Sequence, residues 1–152
     1  MMTQNKRSRW LLLMTVLLGM LAAIAPLSTD MYVPALPSMM TAFGVTPSVI
    51  QLTLTASMAG MALGQIAVGP ISDDKGRRLP LMVGMAIFTL STVGCIWSPS
   101  IQIFLIFRLI QGCAGGAGIV LSRAIARAIC KGRALTRLFA MPMLAHGTAP
   151  LL

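Results

Sequence analysis

Three stretches of this chain carry no charged residue and are each long enough to cross a lipid bilayer: Trp10 to Thr29, Met31 to Ser72 and Leu79 to Phe107. A helix rising about 1.5 Å per residue needs roughly 20 apolar residues to span the hydrocarbon core. A soluble core built from 152 residues has no use for such runs. The composition agrees, with 57% hydrophobic and 10% charged residues, against about 25% charged in an ordinary soluble domain. The chain reads as an all-α integral membrane protein.

A net charge of +9 would suggest nucleic acid if the basic residues formed a patch among polar and aromatic neighbours. Instead they sit at the ends of apolar segments, the position that marks the cytoplasmic side of a membrane protein. Lys6, Arg7 and Arg9 precede the first run; Lys75, Arg77 and Arg78 follow the second; Arg127, Lys131, Arg133 and Arg137 follow the fourth. Residues 33–47 and 97–100, which would face the other side, have no basic residue. This asymmetry excludes nucleic acid as a partner and predicts a multi-pass protein of the inner (cytoplasmic) membrane with its N-terminus, residues 1–9, in the cytoplasm.

The basic start followed by LLLMTVLLGMLAAIA also has the form of a signal peptide ending at Ala23, Ile24 and Ala25. Pro26 would obstruct cleavage and the apolar run continues past it, so a retained first span is expected. Cys95, Cys113 and Cys130 lack metal-ligand spacing and His146 has no partner, so all four read as packing residues with no metal and no cofactor. No nucleophile and base fall at a catalytic spacing, and an enzyme is not expected.

Turn signals divide the chain into spans at about 10–40, 47–71, 79–97 and 100–127, with 134–152 starting an incomplete fifth. Pro26, Pro34 and Pro37 predict a kink or early break in the first. Thr46 is placed as the N-cap of the second and Pro47 in its first turn. Ala56, Gly60 and Gly64 recur every four residues, as do Gly112 and Gly116, and such ridges let helix backbones approach closely. The run GPISDDKGRR, residues 69–78, holds two of the three acidic residues and reads as a charged loop between spans.

Two ionisable residues fall where charge is expensive, at roughly 2.5 to 3.5 kcal/mol even on the lenient insertion scale. Asp30 ends a stripe of Gly19, Ala22, Ala23 and Pro26 on the first span; its plain alternative is a water-exposed helix end, roughly 30 Å along the axis from Arg9. Arg108 is about eight residues, or roughly 12 Å, from the turn WSPS, too deep for its side chain to reach the outer interface easily. It heads a face continued by Gln111, Gly112, Gly115, Gly116, Ile119 and Ser122, which predicts a buried, cavity-facing guanidinium.

These motifs carry a resemblance that covers the whole chain. GPISDDKGRR resembles the loop signature G-x-L-a-D-r-x-G-r-r between the second and third spans of major facilitator superfamily transporters, matched at Gly69, Ile71, Asp73, Gly76, Arg77 and Arg78. RLIQGCAGGAG is similar to their fourth-span R-x-x-Q-G motif, matched at Arg108, Gln111 and Gly112. STDMYVPALP resembles the first-span motif of the Bcr/CflA branch, proton-linked exporters associated with bicyclomycin and chloramphenicol resistance.

The resemblance implies a proton-coupled antiporter of small drugs, with Arg108 in proton coupling, Asp30 and Gln111 beside it in the cavity, and Gly69, Asp73, Gly76, Arg77 and Arg78 forming a cytoplasmic gate. It also implies about twelve spans in two halves. The four spans and part of a fifth then read as an N-terminal portion, a truncated product or an excerpt, whose partners are protons, drugs, the lipid bilayer and a missing C-terminal half. Two positions depart from the pattern. Asp74 stands where the family has arginine, and Ala128 follows Arg127 where the family has an aspartate, which removes an acidic partner for Arg77 or Arg78. The competing reading is a small helical membrane protein that oligomerises through its glycine seams and transports nothing.

Overall fold

The computed structural model describes residues 4–129. The expected fifth span at 134–152, together with Cys130, Lys131, Arg133, Arg137 and His146, lies outside them. Five α-helices and one short 3-10 turn make up the fold: α1 (Gln4–Asp30), a 3-10 turn (Val33–Ala35), α2 (Leu36–Phe43), α3 (Pro47–Lys75), α4 (Arg78–Ile96) and α5 (Ile101–Ile129). Four segments are long and apolar enough to cross a membrane: Val16–Phe43, Pro47–Ser72, Arg78–Ile96 and Ile101–Arg127.

The prolines act unequally. Pro26 lies inside α1 without ending it; the chain leaves the helix after Asp30, and Pro34 and Pro37 then start the 3-10 turn and α2 as first-turn residues. A proline costs nothing at a helix start because its missing N–H would have no intrahelical partner there. The first span is therefore a helix, a break at residues 31–35 and a short second helix ending at Gly44, which adopts a left-handed φ of 61°. Thr46 occupies the N-cap of α3 through its backbone, its carbonyl accepting from Val49 and Ile50, while its side chain makes no capping bond.

The charged run departs from expectation. Residues 69–75 continue α3 to Lys75, and only Gly76 and Arg77 separate it from α4. Gly76, at φ 78° and ψ 163°, holds a backbone conformation essentially restricted to glycine, so a two-residue reversal replaces the anticipated loop. The local reason is the absence of any helix breaker from Ile71 to Lys75.

Burial is inverted relative to a soluble domain. Thr53, Ser57, Ser72, Ser91, Arg108, Gln111 and Ser122 are buried, while Met20, Ile66, Met82, Leu90 and Ile96 lie exposed on the outside. That is the economy of a bundle in lipid, where apolar side chains face acyl chains at no cost and polar groups turn inward to find partners. Trp97, 80% exposed, sits at the end of α4 where an aromatic ring suits the membrane interface.

Helix α5 is the hub. Of its apolar window 56% is buried, against 6% for α4, and it packs on α1, α3 and α4. Neighbouring pairs give the directions. Leu18 packs near Ala126 and Ala25 against Gly115, so α1 runs antiparallel to α5. Gly84 lies beside Ala117, Phe88 beside Gly115 and Gly94 beside Phe107, so α4 is antiparallel too. Ser57 meets Gly112 and Met61 meets Gly116, so α3 runs parallel. The start of α1, the α3–α4 reversal and the end of α5 therefore share one end of the bundle.

The α3–α5 contact is a glycine interlock. A Cβ on Gly60 would strike the Leu109 carbonyl, one on Gly64 the Cys113 carbonyl, one on Gly112 the Ser57 carbonyl and one on Gly116 the Met61 carbonyl. Each ridge thus fills the space that the other leaves, and backbone lies directly on backbone.

Candidate functional site: a buried arginine cluster

The break in the first span, α3, α4 and α5 meet around one guanidinium. Arg108 is 4% exposed despite its charge. The face predicted to accompany it is buried throughout: Gln111, Gly112, Gly115, Gly116, Ile119 and Ser122. Helical spacing of three places Gln111 beside Arg108, and Arg108 Nη1 donates to Gln111 Oε1 at 2.9 Å. Gln111 Nε2 donates onward to Thr92 Oγ1 at 2.8 Å, and Thr92 donates to the Phe88 carbonyl at 2.8 Å. This chain of donors ends on backbone.

A second chain approaches from the opposite side. The ring of Tyr32 lies under the guanidinium, with Arg108 Cζ 4.1 Å from its centroid. Tyr32 Oη is 2.7 Å from Thr53 Oγ1. Thr53 commits its one hydroxyl hydrogen to the Ile50 carbonyl at 2.5 Å, so Tyr32 is the donor in that pair. Phe104 stacks on Tyr32 at 6.2 Å between centroids, and Phe43 tilts against Phe104 at 5.6 Å.

The guanidinium is still under-satisfied. Nε and Nη2 are buried and find no acceptor among the described residues. Each such group costs about 1–3 kcal/mol, more when charged, whereas a desolvated cation–π contact returns about 2 kcal/mol. An ionisable side chain buried within a membrane bundle with donors unpaired among the described residues makes Arg108 the candidate functional position of the fold.

Asp30 is the last residue of α1 and is exposed, two residues before Tyr32. Its predicted companions Gly19, Ala22, Ala23 and Pro26 are half-buried, and among the described side chains of α1 the buried ones are Leu18 and Ala25. The structure brings Arg108 and Gln111 together directly and leaves Asp30 exposed at the start of the break that carries Tyr32.

At the opposite end, Gly69 and Gly76 have open space around them. Arg78 is exposed and begins α4. Arg77 is half-buried, and its Nη1 donates to the Ala124 carbonyl of α5 at 2.6 Å. With Ala128 in place of the family's aspartate, a backbone carbonyl of α5 accepts from this arginine. The backbone of Asp73 and Asp74 is helical; their side chains lie outside the described residues.

Tyr32, Thr53 and Thr92 are missed by the sequence reading. Tyr32 stands inside STDMYVPALP and is the chain's sole tyrosine, a signal that was available. Thr53 and Thr92 offered none, because a lone threonine in a span more often bonds its own helix. Cys95 and Cys113 are free thiols, and among the described residues no group of three His, Cys, Asp or Glu gathers to hold a metal.

Relatives include the uncharacterized MFS-type transporter YdgK of Bacillus subtilis, 41% identical over 99% of this chain and 37% of its own length. A chloramphenicol resistance protein of Pseudomonas aeruginosa is 39% identical over 88% of the chain and 32% of its own length. A bicyclomycin resistance protein homolog of Haemophilus influenzae is 32% identical over 97% and 36%. The chain thus spans about a third of the length of these relatives. No solved structure matches it significantly. The Major Facilitator Superfamily profile matches residues 8–152, almost the whole sequence, and with four membrane-length helices packed on a polar-lined hub, the chain belongs to that superfamily.

Proposed function

We propose that this chain is the N-terminal part of a proton-coupled exporter of small drugs, of the Bcr/CflA type, in the inner membrane with its N-terminus in the cytoplasm. The observation that carries the reading is Arg108, buried where the four spans meet, with Nε and Nη2 unpartnered among the described residues. A fixed cation in a shielded cavity gives carboxylates, drug dipoles and transferable protons something to compete over. The drug-resistance names of two relatives support the substrate class.

In this mechanism protonation of Asp30, at the end of α1 beside the break, competes with binding of drug. Gln111 and Thr92 hold the guanidinium from one side. The α3–α4 reversal at Gly76, with Asp73 and Arg78 beside it, meets the second half of the transporter as the halves rock, while Arg77 ties that reversal to α5. The oligomeric alternative is disfavoured because the glycine seams it would use are already engaged between α3 and α5.

Purified full-length transporter in liposomes tests this. Drug efflux driven by a pH gradient should be dissipated by a protonophore and abolished by Asp30→Asn. Undiminished gradient-driven efflux in that variant would remove Asp30 from the mechanism.

A further inference from the structure

We infer that Tyr32 is a positioning residue for Arg108: its ring face fixes the guanidinium so that the Nε–Nη2 edge stays turned to the transport site. This rests on the coupling role proposed for Arg108. The ring lies 4.1 Å below Arg108 Cζ, and its far end is anchored through the hydroxyl to Thr53, which is itself fully buried and bonded to the Ile50 carbonyl. Phe104 also stacks on the Tyr32 ring, 6.2 Å between centroids.

The direction of the hydrogen bonds gives the arrangement its meaning. Gln111 engages Nη1 alone, and Thr92 orients Gln111. A single hydrogen bond lets a guanidinium pivot; a ring against its face restrains that tilt, and Nε and Nη2 are the guanidinium nitrogens left without a partner among the described residues. Tyr32 also belongs to the break between α1 and the 3-10 turn, not to a continuous helix. Docking of that break onto α3, through Thr53, is therefore what seats the arginine, and any movement of the break would release it.

Arginine-specific labelling by phenylglyoxal, mapped at Arg108 by mass spectrometry in the full-length transporter, reads this positioning without requiring transport. The wild-type rate should be low. Tyr32→Leu, similar in volume but without a ring face, should label at least tenfold faster. Tyr32→Phe and Thr53→Val, which keep the ring and lose its anchor, should each label two- to threefold faster, and their combination no faster than either alone, since both remove the same bond. Phe88→Leu, a loss of ring packing elsewhere on α4, should label at the wild-type rate.

Wild-type labelling in Tyr32→Leu, or an equal rise in Phe88→Leu, would overturn the inference. If Tyr32→Leu does not fold, the anchor variants decide, and wild-type rates in both would overturn it. Gradient-driven efflux measured on the same proteins should fall with the same ranking, Tyr32→Leu furthest. Wild-type protein that shows the labelling pattern without gradient-driven efflux would refute the exporter reading and leave the positioning role supported.

Discussion

Thr92 accepts the hydrogen bond that fixes Gln111, which in turn holds Arg108, so one hydroxyl on α4 supports a charge on α5. Thr92→Val keeps the shape and leaves Gln111 Nε2 buried without an acceptor, and it should lower stability by about 1–3 kcal/mol in a detergent unfolding titration. A loss below a few tenths would show that the amide finds another partner. Gly76→Ala acts differently: its Cβ meets no atom, yet φ 78° disfavours any side chain, and the cost should be about 1–3 kcal/mol. Gly69→Ala, in open helical space, should change stability by no more than about 1 kcal/mol. Arg108, Gln111 and the glycines were legible in the sequence because helical periodicity aligned them on one face. The contact of Tyr32 with Arg108 was not, although its place in STDMYVPALP marked the residue, because Tyr32 lies in a break where no periodicity applies and the contact joins residues far apart in sequence.

Among the elements, the α3–α5 interlock sets the closest approach in the fold. Gly112→Ala would drive a methyl into the Ser57 carbonyl, and backbone cannot step aside as a flexible side chain can. Overpacking of this kind costs about 1–3 kcal/mol or more, so Gly112→Ala and Gly116→Ala should each lower the melting temperature clearly more than Gly69→Ala does. Equal effects at all three positions would contradict the interlock. The ridges were readable from four-residue spacing, whereas which ridge mates with which required the structure. The α3–α4 reversal illustrates the opposite limit. Charge density suggested a loop, but charged residues are compatible with a helix that has reached the membrane surface, and the chain turns only where glycine permits. Arg77 then ties the turn to α5, and Arg77→Ala should cost about 1.5–3 kcal/mol for a charge-assisted bond, with partial retention in Arg77→Lys.

At the scale of the whole molecule, every basic segment within the described residues falls at the bundle end shared by the start of α1, the α3–α4 reversal and the end of α5. Cysteine labelling from either side of the membrane should place residue 78 in the cytoplasm and residue 98 outside; the reverse would invert the orientation argued from charge. The same axis separates the two candidate regions, with the Arg77 tie at one end and the Arg108 cluster toward the other. A bundle whose apolar surface faces lipid needs no net stabilisation from its polar interior, which leaves that interior free to hold an under-satisfied charge. The central claim is that this charge couples proton movement to export. Gradient-driven drug efflux by the full-length transporter carrying Arg108→Gln, purified in monodisperse form, tests it most directly. The account predicts a fall of at least tenfold relative to wild type, and efflux at the wild-type rate would contradict it.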